Sequence, residues 1–421
     1  YYTDFWLFSQ LNEINLMVID SMSYATYERY KDSGVDWLGK IPRDWELGRI
    51  SAFFSERRQK VSDKDYPALS VTKLGVFPQW ENVAKSNDGD NRKLVKKGDF
   101  VINSRSDRKG SSGIAKQDGS VSLINIVLKP VNIEPRYSEY LFKSYNFIEE
   151  FYRVGHGIVA DLWTTRFDDI KNSMIALPTF DEQTKIANFL DQKTAQIDQA
   201  IALKQQQIEK LNEYKQIVIQ NAVTKGLNPN APMKDSGVEW IGNIPEHWEV
   251  KKLKYIAKLK SGDTFNSDDF KSTGYPVFGG NGLRGYTDKF NNSGDYILIG
   301  RQGALCGNVN YATGQFFATE HAVVVYPKLK YNLSFVGEAI KSANFGRFSN
   351  SAAQPGISVQ VVQEVEFAFP SIDEQNEIGT FINEMEKKFD NTVSKYQTQI
   401  DRLKEYKNIL INQAVTGKIK I

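Results

Sequence analysis

The chain has one cysteine, Cys306, and three histidines, His156, His247 and His321, among 421 residues. A single cysteine excludes an internal disulfide and any multi-cysteine zinc site, and it fits a reducing cytoplasm. Three histidines leave little material for metal catalysis. No apolar run reaches the ~20 residues needed for a membrane-spanning helix. The phosphate-binding pattern G-x-x-x-x-G-K-[ST] is missing. So is an Asn-Pro-Pro-aromatic motif of the kind amino-methyltransferases carry, and no nuclease-type array of carboxylates and lysine stands out. Net charge is only +2. The remaining balance, 41% hydrophobic and 25% charged, is that of a globular protein, and the length suits two or three domains.

The charge is unevenly spread. Residues 46–176 hold 21 Lys and Arg against 17 Asp and Glu, a net +4, and residues 249–368 hold 13 against 10, a net +3. Residues 181–226 (6 against 6) and 371–421 (8 against 8) are neutral. Two mildly basic bodies therefore alternate with two neutral segments, and mild basicity suits a polyanionic partner.

An internal repeat explains the alternation. Lys31-Asp32-Ser33-Gly34-Val35-Asp36-Trp37 returns as Lys234-Asp235-Ser236-Gly237-Val238-Glu239-Trp240, and Gly39, Ile41-Pro42 and Trp45-Glu46 return as Gly242, Ile244-Pro245 and Trp248-Glu249. The shift is 203 residues (234 − 31). A second repeat has a shift of 192 (370 − 178). It pairs Pro178 and Asp181-Glu182-Gln183 with Pro370 and Asp373-Glu374-Gln375, Leu211 to Lys215 with Leu403 to Lys407, and Ala222-Val223-Thr224 with Ala414-Val415-Thr416. The neutral segments thus have equal length, while the bodies differ.

The neutral segments read as long helices. Leu190, Ile197, Ile201, Ile208, Leu211 and Val218 form a heptad stripe, matched by Ile382, Phe389, Val393, Ile400, Leu403 and Leu410. Such a stripe with polar flanks is the pattern of a coiled coil, which predicts that the two helices pair with each other. Acidic residues follow Pro178 and Pro370, as at a helix N-terminus. Forty-odd residues make a rod of roughly 65 Å.

The bodies read as α/β or α+β units. Strands are expected at 99–102, 123–128, 296–299 and 321–326. Gly98-Asp99-Phe100-Val101-Ile102-Asn103-Ser104-Arg105 parallels Gly294-Asp295-Tyr296-Ile297-Leu298-Ile299-Gly300-Arg301, so in each body a turn feeds a strand that ends in arginine. Gly280-Asn281-Gly282-Leu283-Arg284-Gly285 matches G-x-G-x-x-G, but Asn and Gly punctuation follows it rather than a helical stripe. It reads as a glycine-rich loop presenting Arg284, not as a dinucleotide site.

What remains is binding chemistry. An arginine fork pairs with guanine O6 and N7, and Arg105 and Arg301 are the candidates for it. Asn103, Gln302 and Gln354 have the amides that read adenine edges. Arg92, Lys93, Lys96, Lys97, Arg108 and Lys109 suit phosphate contact, with Lys251, Lys252 and Lys254 in the second body. Each could equally be a solvated surface charge. Trp37, Trp45, Trp240 and Trp248 could stack on bases, but fit better as anchors of each body. Cys306 fits a small core residue.

The duplicated G-V-[DE]-W-[LI]-G-x-I-P-x-x-W, the duplicated P-x-x-[DE]-E-Q before each helix, the A-V-T endings and the stretch from Ser351 to Ser358 make the chain resemble the specificity subunits of type I restriction-modification systems over residues 24–421. The resemblance implies an α+β fold with two target-recognition domains alternating with two long helices. It implies that these helices pair as an antiparallel coiled coil with an internal pseudo-twofold repeat. The domains expected are an N-terminal extension at 1–30, recognition domains at 31–177 and 227–369, and conserved helices at 178–226 and 370–421. In the extension no Lys or Arg precedes Arg29, which argues against a secretory signal. Either Met22 is a natural start or the stretch packs as a helix.

The resemblance further implies a non-catalytic, cytoplasmic protein that binds double-stranded DNA, two methyltransferase subunits and two restriction subunits. It would bind no cofactor itself; the partners would use S-adenosylmethionine, ATP and magnesium. Leu190, Ile197, Ile208, Leu211, Phe389, Val393, Ile400 and Leu403 would pack the helices. The competing reading is a coiled-coil scaffold without sequence-specific DNA readout.

Overall fold

The computed structural model describes residues 24–79, 89–157, 163–303, 306–348 and 356–421. The expectations for the first 21 residues and for Gln354 lie outside them. The chain forms two compact units, Tyr1–Leu203 with Gln399–Ile421, and Lys204–Thr398.

The first repeat folds the same way in each unit. In the first, β1 (Tyr30–Asp32) pairs antiparallel with β2 (Lys40–Pro42). In the second, β14 (Met233–Asp235) pairs with β15 (Asn243–Pro245). Asp32 and Asp235 each accept the amide of the glycine two residues on at 2.9 Å. Gly39 and Gly242, at φ +58° and +69°, close the loop in a conformation a side chain would strain. Trp45 and Trp248 end the motif fully buried, so both are anchors and neither stacks on a base. The strands that follow, β3 (Glu46–Arg49) and β16 (Glu249–Lys252), pair with the last strand of each body, β13 (Met174–Leu177) and β25 (Glu366–Phe369).

The bodies share a frame. In the first unit α1 (Ile50–Phe53) leads to β4 (Phe54–Glu56), β5 (Lys60–Val61), β6 (Leu69–Thr72), β7 (Gly75–Pro78), β8 (Arg92–Val95), β9 (Phe100–Asn103), β10 (Ser112–Ile114), β11 (Gly119–Ser122) and β12 (Asn125–Pro130). In the second, α6 (Leu253–Ile256) leads to β17 (Ala257–Ser261), β18 (Tyr275–Gly279), β19 (Gly282–Thr287), β20 (Asn292–Ser293), β21 (Tyr296–Gly300), β22 (Val309–Ala312), β23 (Gln315–Ala318) and β24 (Ala322–Pro327). One sheet runs β4-β12-β9-β10 and its counterpart β17-β24-β21-β22. The expected strand at 99–102 is β9, and that at 296–299 is β21. In each body a further hairpin, β6–β7 or β18–β19, touches β11 or β23 in the parallel sense.

Helices close each core. They are α2 (Pro135–Lys143), α3 (Tyr145–Arg153) and α4 (Phe167–Ile170) in the first unit, and α7 (Leu333–Ser342) and α8 (Val359–Glu364) in the second. The long helices are α5 (Phe180–Lys225) and α9 (Ile372–Val415). A buried glutamine ties each helix start to its body. The Gln183 amide donates to the Pro178 carbonyl at 3.0 Å and accepts the Glu134 N–H at 2.9 Å. Gln375 does the same with Pro370 at 3.0 Å and Asn332 at 3.1 Å. Glu134 and Asn332 are themselves the N-caps of α2 and α7. The P-x-x-[DE]-E-Q repeat is therefore a joint: its glutamine satisfies a strand-end carbonyl and a helix-start amide together.

The helices pair antiparallel. In the second unit Lys204 lies over the Tyr396 ring at 5.4 Å, Tyr214 meets Phe389 with ring centroids 6.0 Å apart, and Lys215 binds Asp390 at 3.1 Å. From Lys204 to Tyr214 and Lys215 on α5 the partners on α9 thus step back from Tyr396 to Phe389 and Asp390. In the first unit Lys407 binds Asp198 at 2.7 Å, and Ile197 shares a core with Leu403 and Leu410. Leu190, Ile197, Ile208, Phe389, Ile400 and Leu403 are buried, and Leu211 and Val393 half-buried. Ile219 rather than the neighbouring Val218 enters the core. Among the described residues no helix is long and apolar enough to cross a membrane.

Two expected surface cations are corrected. Arg92 is only 5% exposed. Its guanidinium donates to the Ser120 hydroxyl at 2.9 Å and the Ser120 carbonyl at 3.1 Å. Burial pushes its pKa down. Lys93 is held by Glu56 at 3.2 Å and the Asn125 carbonyl at 2.8 Å. Both sit on β8, the middle strand of the sheet β11-β8-β5, where neighbours cover them. Neither is free for phosphate.

Two outcomes follow. Arg92→Ala should lower unfolding stability by about 1–3 kcal/mol, because the Ser120 groups lose their buried donor; denaturant unfolding checks this. Gly379→Ala should destabilise, although Gly→Ala inside a helix usually gains about 1 kcal/mol. A Cβ there meets the side-chain oxygen of Asn332, the α7 cap, and losing a cap costs about 1 kcal/mol or more. A raised melting temperature would show that Asn332 keeps its cap beside the added methyl.

Candidate nucleic-acid interface

In the second body Arg301 directly follows β21. Its N–H donates to the His321 carbonyl at 2.9 Å and its carbonyl accepts the Ile357 N–H at 2.9 Å. The main chain is fixed on both sides, and the guanidinium reaches the Ser261 hydroxyl at 3.5 Å. Gln302 is exposed and bridges Gly356. Gly280 lies so close that a Cβ on it would sit 3.0 Å from the Gln302 carbonyl and 3.1 Å from that of His321. Gly279 in turn lies under the stem of Arg284, whose guanidinium faces the Phe270 ring at 5.8 Å. The glycines therefore turn a hairpin, β18–β19, and let it pack against the Arg301 loop. They open no helix, in keeping with the rejection of a dinucleotide site. Arg301 and Gln302 are adjacent on this loop, and Arg284 stands on the hairpin whose Gly280 packs against it.

Two lysines beside this cluster escaped the sequence reading. Lys258 and Lys260 point outward from β17 between buried Ala257 and Leu259. That strand is the sheet edge and ends at Ser261, the Arg301 partner. The strict alternation Ala257-Lys258-Leu259-Lys260 was the available signal. By contrast, Lys251 pairs with Glu249 at 2.8 Å, and Lys252 and Lys254 share Glu364 at 3.0 and 2.7 Å.

The first body builds the corresponding loop from a 3-10 turn. Asn103, at the end of β9, accepts the Arg105 N–H on its side-chain oxygen at 3.1 Å, so it positions the arginine. The Ser106 N–H donates to the Trp163 carbonyl at 3.0 Å. Tyr152 donates its hydroxyl to the Asn103 carbonyl at 2.9 Å. Burial pushes the pKa of that hydroxyl up to about 12. Arg105 meets Asp107 at 3.2 Å, Arg108 meets the same carboxylate at 3.7 Å, and Lys109 meets Glu149 at 2.7 Å. All five side chains are more than a third exposed. Pairs so exposed contribute at most about 1 kcal/mol each, so a phosphate or a base edge can displace them. Lys96, further along, pairs with Asp118 at 2.7 Å. Trp37 and Trp240 are half-buried against Phe147 and Phe367. Cys306 is buried and unbridged. Among the described residues no group of three or more His, Cys, Asp or Glu is placed to hold a metal.

The family model of the type I restriction modification DNA specificity domain matches residues 42–213 and 245–402. The chain is 38% identical over 159 residues to the EcoprrI specificity subunit of Escherichia coli, an alignment covering 37% of this chain and 38% of that one. It is 24% identical over 425 residues to the MjaVIII specificity subunit of Methanocaldococcus jannaschii, covering 91% and 94%. Among solved structures, a chain from a study of type I R-M complex assembly and conformational transition matches with TM-score 0.68 at 13% identity, covering 89% of this chain and 98% of that one. The HsdS subunit from Thermoanaerobacter tengcongensis matches at TM-score 0.53 and 16% identity, covering 90% and 98%. The duplicated motifs, the shared frame of the two bodies and the paired helices agree with the two-fold family match: the chain belongs to the DNA specificity subunits of type I restriction-modification systems.

Proposed function

We propose that the chain is the DNA reader of its complex and carries out no chemistry itself. Each body, at 31–177 and 227–369, reads one half of a split, asymmetric target. The helices, at 178–226 and 370–421, set the unread gap and dock two methyltransferase subunits, with two restriction subunits joining them. S-adenosylmethionine, ATP and magnesium belong to those partners, and the complex works in the cytoplasm. The observation that carries the reading is the recurrence of an arginine at the end of the same strand in two otherwise diverged bodies: Arg105 after β9 and Arg301 after β21. A shared frame with different surroundings is what two readers of different half-sites require. Arg105 and Arg301 are the base readers of this reading, with Gln302 and Gln354 on adenine edges. Arg108, Lys109, Arg284, Lys258 and Lys260 hold phosphate.

A coiled-coil scaffold, the competing reading, would show no sequence preference and little salt dependence. A reader loses affinity steeply, about tenfold or more between 50 and 200 mM salt, as phosphate contacts release counterions. Genome-wide mapping of adenine methylation, with and without the gene, separates the two when the methyltransferase partner is active.

Arg301→Ala should weaken or relax only the second half-site, by about 1–3 kcal/mol at one base pair. Equal loss on every sequence would make Arg301 a phosphate contact. Inserting one heptad into both helices should lengthen the gap by about three base pairs, since seven residues rise about 10 Å against 3.4 Å per base pair, with both half-sites unchanged. Altered half-sites at the old gap would refute the ruler.

A further inference from the structure

The most exposed large hydrophobic side chain among the described residues is Leu74, at 85%. It sits with Lys73 in the two-residue turn between β6 and β7, closed by the Thr72–Gly75 pair. The tip is rigid. The Thr72 hydroxyl accepts the Leu74 N–H at 3.1 Å and donates to the Gly75 carbonyl at 3.1 Å. The base of the tip is packed on β10: a Cβ on Gly113 would lie 2.9 Å from the Gly75 Cα. Gly113 is two residues past Ser111, whose carbonyl accepts the Asn103 N–H at 2.9 Å and closes the loop carrying Arg105, Arg108 and Lys109. The turn is thus anchored to β10, the strand that leads out of the cation loop.

The second body repeats the construction with other residues. The hairpin β18–β19 closes at the Gly279–Gly282 pair. Leu283, 54% exposed, follows it beside Arg284. Gly282 lies against Asn310 of β22, the strand that corresponds to β10, and Gly280 against Gln302. A single exposed leucine needs no explanation. Two of them need one, because each stands on an equivalent hairpin next to a cation: Leu74 in the turn itself, and Leu283 opposite Phe278, in the pair next to the closing one. Folding does not require either side chain, since neither is in a core.

We propose that Leu74 and Leu283 are specificity residues: each hairpin enters a groove of its half-site and lays its leucine, in the turn or one pair behind it, on base edges, as apolar side chains contact the thymine methyl, while Lys73 and Arg284 grip the flanking phosphates. A two-stranded ribbon fits the major groove. The proposal rests on the DNA-reading function above and adds to it which side chains supply apolar readout.

The test uses the full chain assembled with its methyltransferase partner. Methylation motifs are mapped genome-wide for the unaltered chain, Leu74→Ser, Leu283→Ser and Lys73→Ala. Leu74→Ser should relax one or two positions of one half-site, by about tenfold in relative methylation, and leave the gap and the other half-site intact. Leu283→Ser should do the same to the other half. Lys73→Ala should weaken all sequences uniformly. Melting temperatures should stay unchanged, which separates readout from folding. Unchanged motifs at full rate in both leucine variants would overturn the proposal while the reading function stands. Uniform loss without motif change would overturn it too, since it makes the tips backbone contacts. No split motif for the unaltered chain beside an active partner would overturn both.

Discussion

One buried amide in each unit decides where its body stands on the long helix. Gln183 and Gln375 each face a carbonyl that ends a strand and an N–H that starts a helix. Both are almost fully buried, so a group left without its partner would cost about 1–3 kcal/mol. Three elements of different direction are thereby fixed at one point. Around the joint sit Trp45 and Trp248, each contributing one of the largest buried side chains. Glu182 takes the Trp45 indole N–H at 3.4 Å, and its counterpart Glu374 meets His247 at 2.9 Å. The joint and its surroundings recur in both units, so each body has the same fixed base on its helix.

The same residue type serves opposite ends on this frame. Arg92 is enclosed and bonded within the sheet, and its charge is spent on holding β8 to β11. Arg105 stands on a loop whose main chain is pinned at Asn103 and Trp163, while among the described residues its guanidinium pairs with one exposed aspartate. Removing the first exposes an unsatisfied interior; removing the second costs the fold little. Rigid main chain under a weakly engaged side chain is what recognition needs, since little entropy remains to be lost on binding.

The frame was legible in the sequence to the extent that its signals were local. The repeats, the arginine-ended strands and the heptad stripes each announce themselves within a few turns or one strand. The direction of helix pairing does not, because a heptad stripe reads the same either way. Nor does the covering of Arg92 and Lys93, which depends on a sheet whose strands are distant in sequence. The turn at Lys73-Leu74 lacks the Asn-Gly or Asp-Gly that marks tight hairpins, so the tip went unseen. Lys258 and Lys260 were visible as alternation but not as neighbours of Arg301, a contact made through Ser261.

The units are alike in packing but not in connectivity. In the second, the end of α5 runs on through Gly226, at φ +72°, which lies against Trp248 and Pro245. In the first, Trp45 and Pro42 meet Gly417, from the end of α9. Lys418 donates to the Leu38 carbonyl at 2.9 Å and to that of Lys40, and the Lys420 N–H donates to Ala25 at 2.7 Å. A neighbour supplied along the chain in one unit is supplied across 380 residues in the other. Loop closure of that length adds little to the equilibrium cost, about 0.6 kcal/mol for each doubling. It weighs more on the rate, because non-local contacts return nothing until the loop has closed. The second unit lies within one continuous stretch, Lys204–Thr398, whereas the first joins two stretches distant in sequence, Tyr1–Leu203 and Gln399–Ile421, so its closure falls on the slower, non-local contacts.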